Sequence, residues 1–187
     1  MKELNRCPIY IAVLLENGNK KTWLPLPATK QQFNKAIGKI CGASPGITEC
    51  RQLSVSDYAV NAPGLNAIRL IRTPLAVVNH LAARFKDLTE ENIIKLCAIY
   101  DAEFSYFSAE WLIEYTYQLD SYTLLPHICE NDPDYIAGKA KSTPRGYIIA
   151  KNGWDNKVKD YPVPASLNLK GFIGEDLYGD WNHESIH

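Results

Sequence analysis

The chain has 187 residues, of which 46% are hydrophobic and 22% charged, and its formal net charge is −1. This composition excludes wholesale disorder, and the near-neutral charge disfavours a general nucleic-acid binder because no basic stripe can neutralise many phosphates. The apolar run Ile9–Leu15 spans seven residues, too few to cross a bilayer. Five cysteines without a CxxC pair are typical of reduced thiols. We therefore expect a cytoplasmic protein with no membrane segment.

Residues 1–62 have the pattern of a small α/β domain. Ile9–Leu15 and Thr22–Leu26 are rich in strand-forming residues and flank the polar stretch Glu16–Lys21. This arrangement predicts an antiparallel hairpin with a long loop.

A helix is predicted after the hairpin. Thr29 followed three residues later by Gln32 forms a capping box, which is typical of a helix N-terminus. The apolar face that follows has helical spacing and comprises Phe33, Ala36, Ile37 and Ile40. Glycine and proline over Gly42–Gly46 end this helix, and Cys50–Val60 is predicted to return as a strand.

The hydrophobic period becomes helical over residues 63–119. Thr73-Pro74 is an N-cap followed by proline at the first helical position. Leu88-Thr89 and Phe107-Ser108 each begin a further helix with a hydrophobic staple to the fourth helical residue. The predicted buried side chains are Leu75, Val78, Leu81, Ala82, Phe85, Ile93, Leu96, Cys97, Tyr100, Leu112, Tyr115 and Leu119. This segment is predicted to be a central helical bundle.

Residues 120–187 are predicted to form a C-terminal mixed α/β domain. Asp120–Leu125 has strand composition, and Asp132-Pro133 is predicted to cap a short helix that continues to residue 140. Tyr147–Lys151, followed by Asn152-Gly153 and then Trp154, predicts a hairpin with a type I′ turn. The expected fold class is thus α+β, with domains at 1–62, 63–119 and 120–187.

Charge is segregated along the chain. The segment Lys86–Ile136 contains eleven acids and two bases, a net charge of −9, whereas the first fifty residues contain seven bases and three acids. A concentrated acidic surface attracts proteins that normally bind phosphates. From the residues alone, a solvated helical face is the preferred interpretation and a phosphate-mimicking surface the alternative. The acids are Asp87, Glu90, Glu91, Asp101, Glu103, Glu110, Glu114, Asp120, Glu130, Asp132 and Asp134.

Other site chemistries have weak support. His127-Ile128-Cys129 lacks a partner at zinc-like spacing, and the pair His183 and His187 lies where fraying is expected. There is no GxSxG motif, and the GASPG stretch at Gly42–Gly46 lacks the lysine of a phosphate-binding loop. We predict a protein that is not an enzyme and has no metal or cofactor, with a metal-dependent enzyme as a distant alternative.

Several short motifs follow one another along the chain. They are Ile9-Tyr10-Ile11-Ala12 with Trp23-Leu24-Pro25-Leu26-Pro27, Leu53–Tyr58, Gly64-Leu65-Asn66 with Pro74–Ala82, Leu112–Pro126 with Asp134–Gly138, and Phe172-Ile173 with Tyr178-Gly179. In order and spacing these motifs resemble the ArdA-type antirestriction proteins of conjugative elements, in the divergent form common in Gram-positive bacteria. Three features depart from that pattern: Asp180-Trp181 stands where the family usually has Arg-Asp, the net charge is near zero whereas members of the family are strongly acidic, and Lys139–Leu169 has no clear counterpart.

The resemblance implies an elongated, three-part α+β protein that forms a homodimer and imitates the phosphate array of bent duplex DNA. Such a protein occupies the DNA groove of a type I restriction–modification enzyme, so its partner is a protein and it does not itself bind nucleic acid. The eleven acids would then form the protein-binding face. The alternative is a non-catalytic protein-binding module of a mobile genetic element, which uses an aromatic surface rather than charge.

Overall fold

The structure is a computed structural model that describes residues 9–42, 52–62, 70–103, 108–154, 163 and 165–169. The predicted mixed α+β class is confirmed, since helices and two antiparallel sheets are both present. Within the described ranges, no helix is long and apolar enough to cross a membrane.

The chain divides into two compact units. The first unit comprises Met1–Lys86 together with Pro162–His187, and the second comprises Asp87–Tyr161. The divisions therefore fall after residues 86 and 161, whereas the sequence pattern predicted boundaries after 62 and 119. The helices predicted to form one central bundle are accordingly shared between the two units.

The first unit contains a three-stranded antiparallel sheet with the order β2-β1-β3. Its strands are β1 (Tyr10–Asn17), β2 (Lys20–Leu26) and β3 (Leu53–Asn61). The predicted long hairpin loop is wrong. Asn17 pairs directly with Lys20, so only Gly18 and Asn19 connect the strands, and Gly18 has the positive φ of 60° that such a tight turn requires.

Two helices in the first unit bury the apolar faces that the sequence predicted. They are α1 (Lys30–Cys41), which buries Phe33, Ala36, Ile37 and Ile40, and α2 (Leu75–Lys86), which buries Leu75, Val78, Leu81, Ala82 and Phe85. The predicted capping box is present: the Thr29 hydroxyl accepts from the Gln32 N–H, and the Gln32 side chain accepts from the Thr29 N–H. Strands β1 and β2 contact both helices, which places the core of this unit between sheet and helices.

One polar side chain lies inside that core. Asn79 of α2 is fully buried, and its amide forms two hydrogen bonds with Ala28. The Asn79 Oδ1 accepts from the Ala28 N–H at 2.8 Å, while its Nδ2 donates to the Ala28 carbonyl at 2.9 Å. The Asn79 amide therefore satisfies both main-chain polar groups of Ala28. These bonds hold α2 against the segment that follows β2.

The second unit has its own three-stranded antiparallel sheet with the order β4-β6-β5. Its elements are α3 (Glu90–Ala102), α4 (Ala109–Gln118), a short 3₁₀ helix (Leu119–Ser121), β4 (Tyr122–Leu125), α5 (Pro133–Ile136), β5 (Ala140–Thr143) and β6 (Gly146–Ala150). Helix α3 contacts all three strands. The predicted N-caps are confirmed, because the side chains of Thr89 and Ser108 accept from main-chain N–H groups of α3 and α4.

Three details of this unit differ from prediction. Helix α5 has only one turn, since Gly138 adopts a φ of 70° well before residue 140. Strand β6 forms an antiparallel hairpin with the preceding strand β5, through a turn at Pro144-Arg145. The predicted hairpin would instead pair β6 with the residues that follow Asn152-Gly153, and residues 155–160 lie outside the described part of the chain. The buried residues of α3 are Leu96, Ala98 and Ile99, and the predicted Ile93, Cys97 and Tyr100 are only half-buried.

Candidate acidic interface

The eleven predicted acids all belong to the second unit, but they differ widely in burial. Five are exposed, namely Asp87, Glu90, Glu91, Asp120 and Glu130. Five are half-buried, namely Asp101, Glu103, Glu110, Asp132 and Asp134. Glu114 is fully buried. A single outward face made of all eleven side chains is therefore excluded.

The burial of Glu114 corrects the prediction that it belongs to an outward acidic face. Helix α4 is apolar around most of its circumference, and it buries five further residues besides Glu114. A helix of this composition packs on several sides, so the position of Glu114 faces the interior. The Gln118 side-chain amide, one turn later, donates to the Glu114 carboxylate. This hydrogen bond offsets part of the cost of burying the carboxylate.

Cations from one short segment neutralise three of the half-buried acids. Arg145 forms an ion pair with Asp101, and Lys141 forms an ion pair with Glu103. The third pair joins Lys139 and Asp134 at 3.6 Å. All three cations lie within residues 139–145, on the hairpin formed by β5 and β6. This segment lies within Lys139–Leu169, which has no clear counterpart in the ArdA-type pattern. Its positive charges balance part of the negative charge of Lys86–Ile136.

Trp154 holds part of this cationic segment in place. The Lys141 ammonium lies 4.1 Å from the centroid of the Trp154 ring, which is within cation–π range. The Trp154 indole N–H donates to the Lys139 carbonyl at 2.8 Å. Lys141 therefore contacts an aromatic face and the Glu103 carboxylate at once, which restricts the position of its charge.

Several of the remaining acids stabilise helix ends. Asp132 caps α5, accepting from the Asp134 N–H at 2.9 Å. Glu90 and Glu91 lie in the first turn of α3, and Glu110 lies in the first turn of α4. Carboxylates at these positions interact favourably with the helix dipole.

Two exposed acids meet at a groove in the second unit. Glu91 of α3 and Asp120 of the 3₁₀ helix both line an open depression of about 570 Å³. Its other lining residues are Ile94, Lys95, Tyr122, Thr123, Leu124 and Lys151. The Lys151 ammonium donates to the main-chain oxygen of Asp120 at 2.8 Å, not to its carboxylate. The sequence pattern did not reveal this groove, because it joins residues from segments about thirty positions apart.

The charge segregation is retained at the level of the two units. The second unit contains seven bases and thirteen acids, a net charge of −6, and the first contains thirteen bases and eight acids, a net charge of +5. The excess of acid in the second unit is smaller than in Lys86–Ile136 alone because the cationic hairpin belongs to the same unit. The cations had a visible signal in the sequence, since Lys139, Lys141, Arg145 and Lys151 follow closely on the last of the eleven acids.

Metal and thiol chemistry find little geometric support in the part of the chain that the structure describes. That part contains no group of three potential metal ligands, and His127 and Cys129 are both exposed. The pair His183 and His187 lies outside the described residues. Burial raises the pKa of the Cys97 thiol, despite the opposing effect of nearby Arg145, so the less reactive protonated form is favoured.

Comparisons with protein-family models, with curated proteins and with solved structures found no match to this chain.

Proposed function

We propose that this chain is an antirestriction protein that acts as a DNA mimic and occupies the DNA-binding groove of a type I restriction–modification enzyme. The observation that carries the proposal is the net charge of −6 on the second unit, where five of the acids that the structure describes are exposed. The ordered motifs that resemble ArdA-type proteins supply the choice of target. Carboxylates held on a folded surface offer arginine and lysine side chains the contacts that phosphates offer, without a bond that can be cleaved.

The size of the charged surface limits the extent of the mimicry. Duplex DNA carries about one charge per 1.7 Å of axis, so five exposed acids correspond to roughly 9 Å of duplex. A single chain would therefore replace only a short stretch of backbone, and a homodimer would present two such stretches. The homodimer, the elongated three-part arrangement and the cytoplasmic location all belong to this proposal. The partner is a protein, and no direct nucleic-acid contact or cofactor is involved.

The second candidate is a non-catalytic protein-binding module of a mobile genetic element that keeps the fold without the mimicry. It is favoured by the three ion pairs that neutralise Asp101, Glu103 and Asp134. It is also favoured by two aromatic residues on the first sheet, Tyr10 and Trp23, which are 48% and 47% exposed. Such a module would bind through apolar contacts, which depend little on salt.

The plating of unmodified phage on a host with a type I restriction system tests the first proposal. Expression of the chain should raise the plating efficiency. The triple variant Asp87→Asn/Glu91→Gln/Asp120→Asn removes three exposed charges and should reduce the effect about tenfold, which corresponds to roughly 0.5 kcal/mol for each contact.

A matched triple variant controls for the change in net charge. Asp101→Asn/Glu103→Gln/Asp134→Asn also removes three negative charges, but from acids that already have cationic partners. Its plating efficiency should stay within about threefold of the unaltered chain. No gain in plating with the unaltered chain, or equal losses in the two triple variants, would contradict the proposal.

A further inference from the structure

We propose that the outer edge of β4 binds an extended, cationic peptide segment of a partner protein as an additional strand of the second sheet. The inference goes beyond antirestriction, because it concerns main-chain hydrogen bonding at one sheet edge and holds for any partner that presents such a segment.

Strand register shows which main-chain groups of β4 point outward. The Lys151 N–H donates to the Ser121 carbonyl at 2.9 Å, which identifies these two residues as a hydrogen-bonded pair. Because such pairs alternate along antiparallel strands, Thr123 and Leu125 also bond to β6. Leu124 lies between them and therefore turns its N–H and C=O away from β6. In the sheet as described, β4 is an edge strand and no further strand pairs with it.

Residues of this edge strand line the groove. Thr123 and Leu124 line it from β4, and Ile94 lines it from α3. Its volume of about 570 Å³ is in the range of natural ligand sites, which suits several residues of an extended chain. Ile94 is 43% exposed and offers an apolar contact to alternate side chains of an added strand. Main-chain bonding with side-chain pockets alongside is the arrangement found in peptide recognition by strand addition.

Charge indicates what kind of peptide fits. Among the described residues, the carboxylates of Glu91 and Asp120 have no ion-pair partner, although both line the groove. The Lys151 ammonium is bonded to a main-chain oxygen, as described above. With a net charge of −6 on the unit, lysine or arginine side chains of the peptide are favoured beside these two acids. Lys95 favours a neutral or acidic residue at the position next to it.

The opposite edge of the same sheet provides an internal control. Lys141 pairs with Ile148 and Thr143 pairs with Gly146 across the β5–β6 hairpin, so Ser142 between them turns its N–H outward. The β5 edge carries Lys141, and Lys139 immediately precedes it, so this edge is cationic where the groove at β4 has two acids. A cationic peptide should therefore select β4 over β5.

The probe for the test is a fluorescein-labelled, end-blocked peptide of eight alternating lysine and valine residues, titrated into the full chain by fluorescence anisotropy. We expect saturable binding. Methylating the amide nitrogens along one edge of the peptide should weaken it at least about tenfold, and methylating the other edge should change it less than about threefold. A peptide with glutamate in place of lysine should bind at least about tenfold more weakly.

Two protein variants assign the edge. Leu124→Pro removes the outward N–H of β4 and should weaken binding at least about tenfold, whereas Ser142→Pro should leave it within about threefold. Should circular dichroism show that Leu124→Pro does not fold, the two methylated peptides and the charge reversal Glu91→Lys decide the question.

The proposal is overturned by absence of binding at millimolar peptide, by equal effects of the two methylation patterns, or by a loss confined to Ser142→Pro. It is also overturned by equally tight binding of the glutamate peptide. None of these readouts depends on restriction. The peptide-binding test therefore remains decisive even if the plating test of the proposed function is negative.

Discussion

Replacing Asn79 with alanine should lower the free energy of unfolding by about 3 kcal/mol, because it leaves two buried main-chain groups without partners. Ala28 is fully buried, and both its N–H and its C=O are bonded to the Asn79 amide. Each buried polar group left unsatisfied costs about 1–3 kcal/mol, and loss of the side chain also leaves a void in the core. Urea unfolding followed by circular dichroism measures the change.

Two further variants make the Asn79 prediction specific. Asn79→Asp keeps an oxygen that can accept from the Ala28 N–H but removes the donor to its carbonyl, so it should also destabilise the protein. Asn34→Ala, on the exposed side of α1, removes the same side chain without a buried partner and should change stability by less than about 0.5 kcal/mol. A loss below about 1 kcal/mol for Asn79→Ala would show that the core does not depend on this amide.

Gly146→Ala should be about as destabilising, at roughly 3 kcal/mol, for a steric reason. Gly146 begins β6 with a φ of 119°, a conformation that side chains rarely adopt, and a Cβ atom there would lie 2.4 Å from the Leu125 carbonyl oxygen. That oxygen belongs to the main chain of β4, so neither strand can yield without disturbing their pairing. Thermal unfolding compares the variant with the unaltered chain.

Gly38 is the matched control for this substitution. It lies within α1, and a Cβ atom added there would meet no atom within 4 Å. Gly38→Ala should therefore stabilise the protein by about 0.5–1 kcal/mol, since alanine favours helix and restricts the unfolded chain. Similar effects of the two alanine substitutions would contradict the assigned conformation of Gly146.

Local patterns in the sequence predicted local structure well. The caps at Thr29, Thr89 and Ser108 depend on side chains that reach only three residues along the chain, so the sequence contains all the information they need. The buried faces of α1 and α2 likewise follow from helical spacing. The hairpin loop at Gly18 was predicted too long because polar residues such as Glu16 and Lys21 continue into both strands, where they form an ion pair at 2.8 Å.

Features that depend on distant contacts could not be predicted in this way. Asp101 pairs with a residue 44 positions away, and Glu103 with one 38 positions away, so the acidic segment alone overstated the exposed charge. Glu114 was placed on the surface because a carboxylate is usually exposed, whereas packing around α4 and a hydrogen bond from Gln118 hold it inside. The division into two units after residue 86 also reflects packing of helices on separate sheets, although it coincides with the start of the acidic segment at Lys86.

The most direct measurement of the central claim is displacement of labelled duplex DNA from a purified type I restriction enzyme by this chain, recorded over a range of salt concentrations. If the exposed acids of the second unit replace phosphates, the chain should displace the DNA, and its apparent affinity should fall steeply as salt rises. The variant Asp87→Asn/Glu91→Gln/Asp120→Asn should displace DNA about tenfold less well. Failure to displace DNA at any salt concentration, or displacement that is insensitive to salt and to the triple substitution, would contradict the claim.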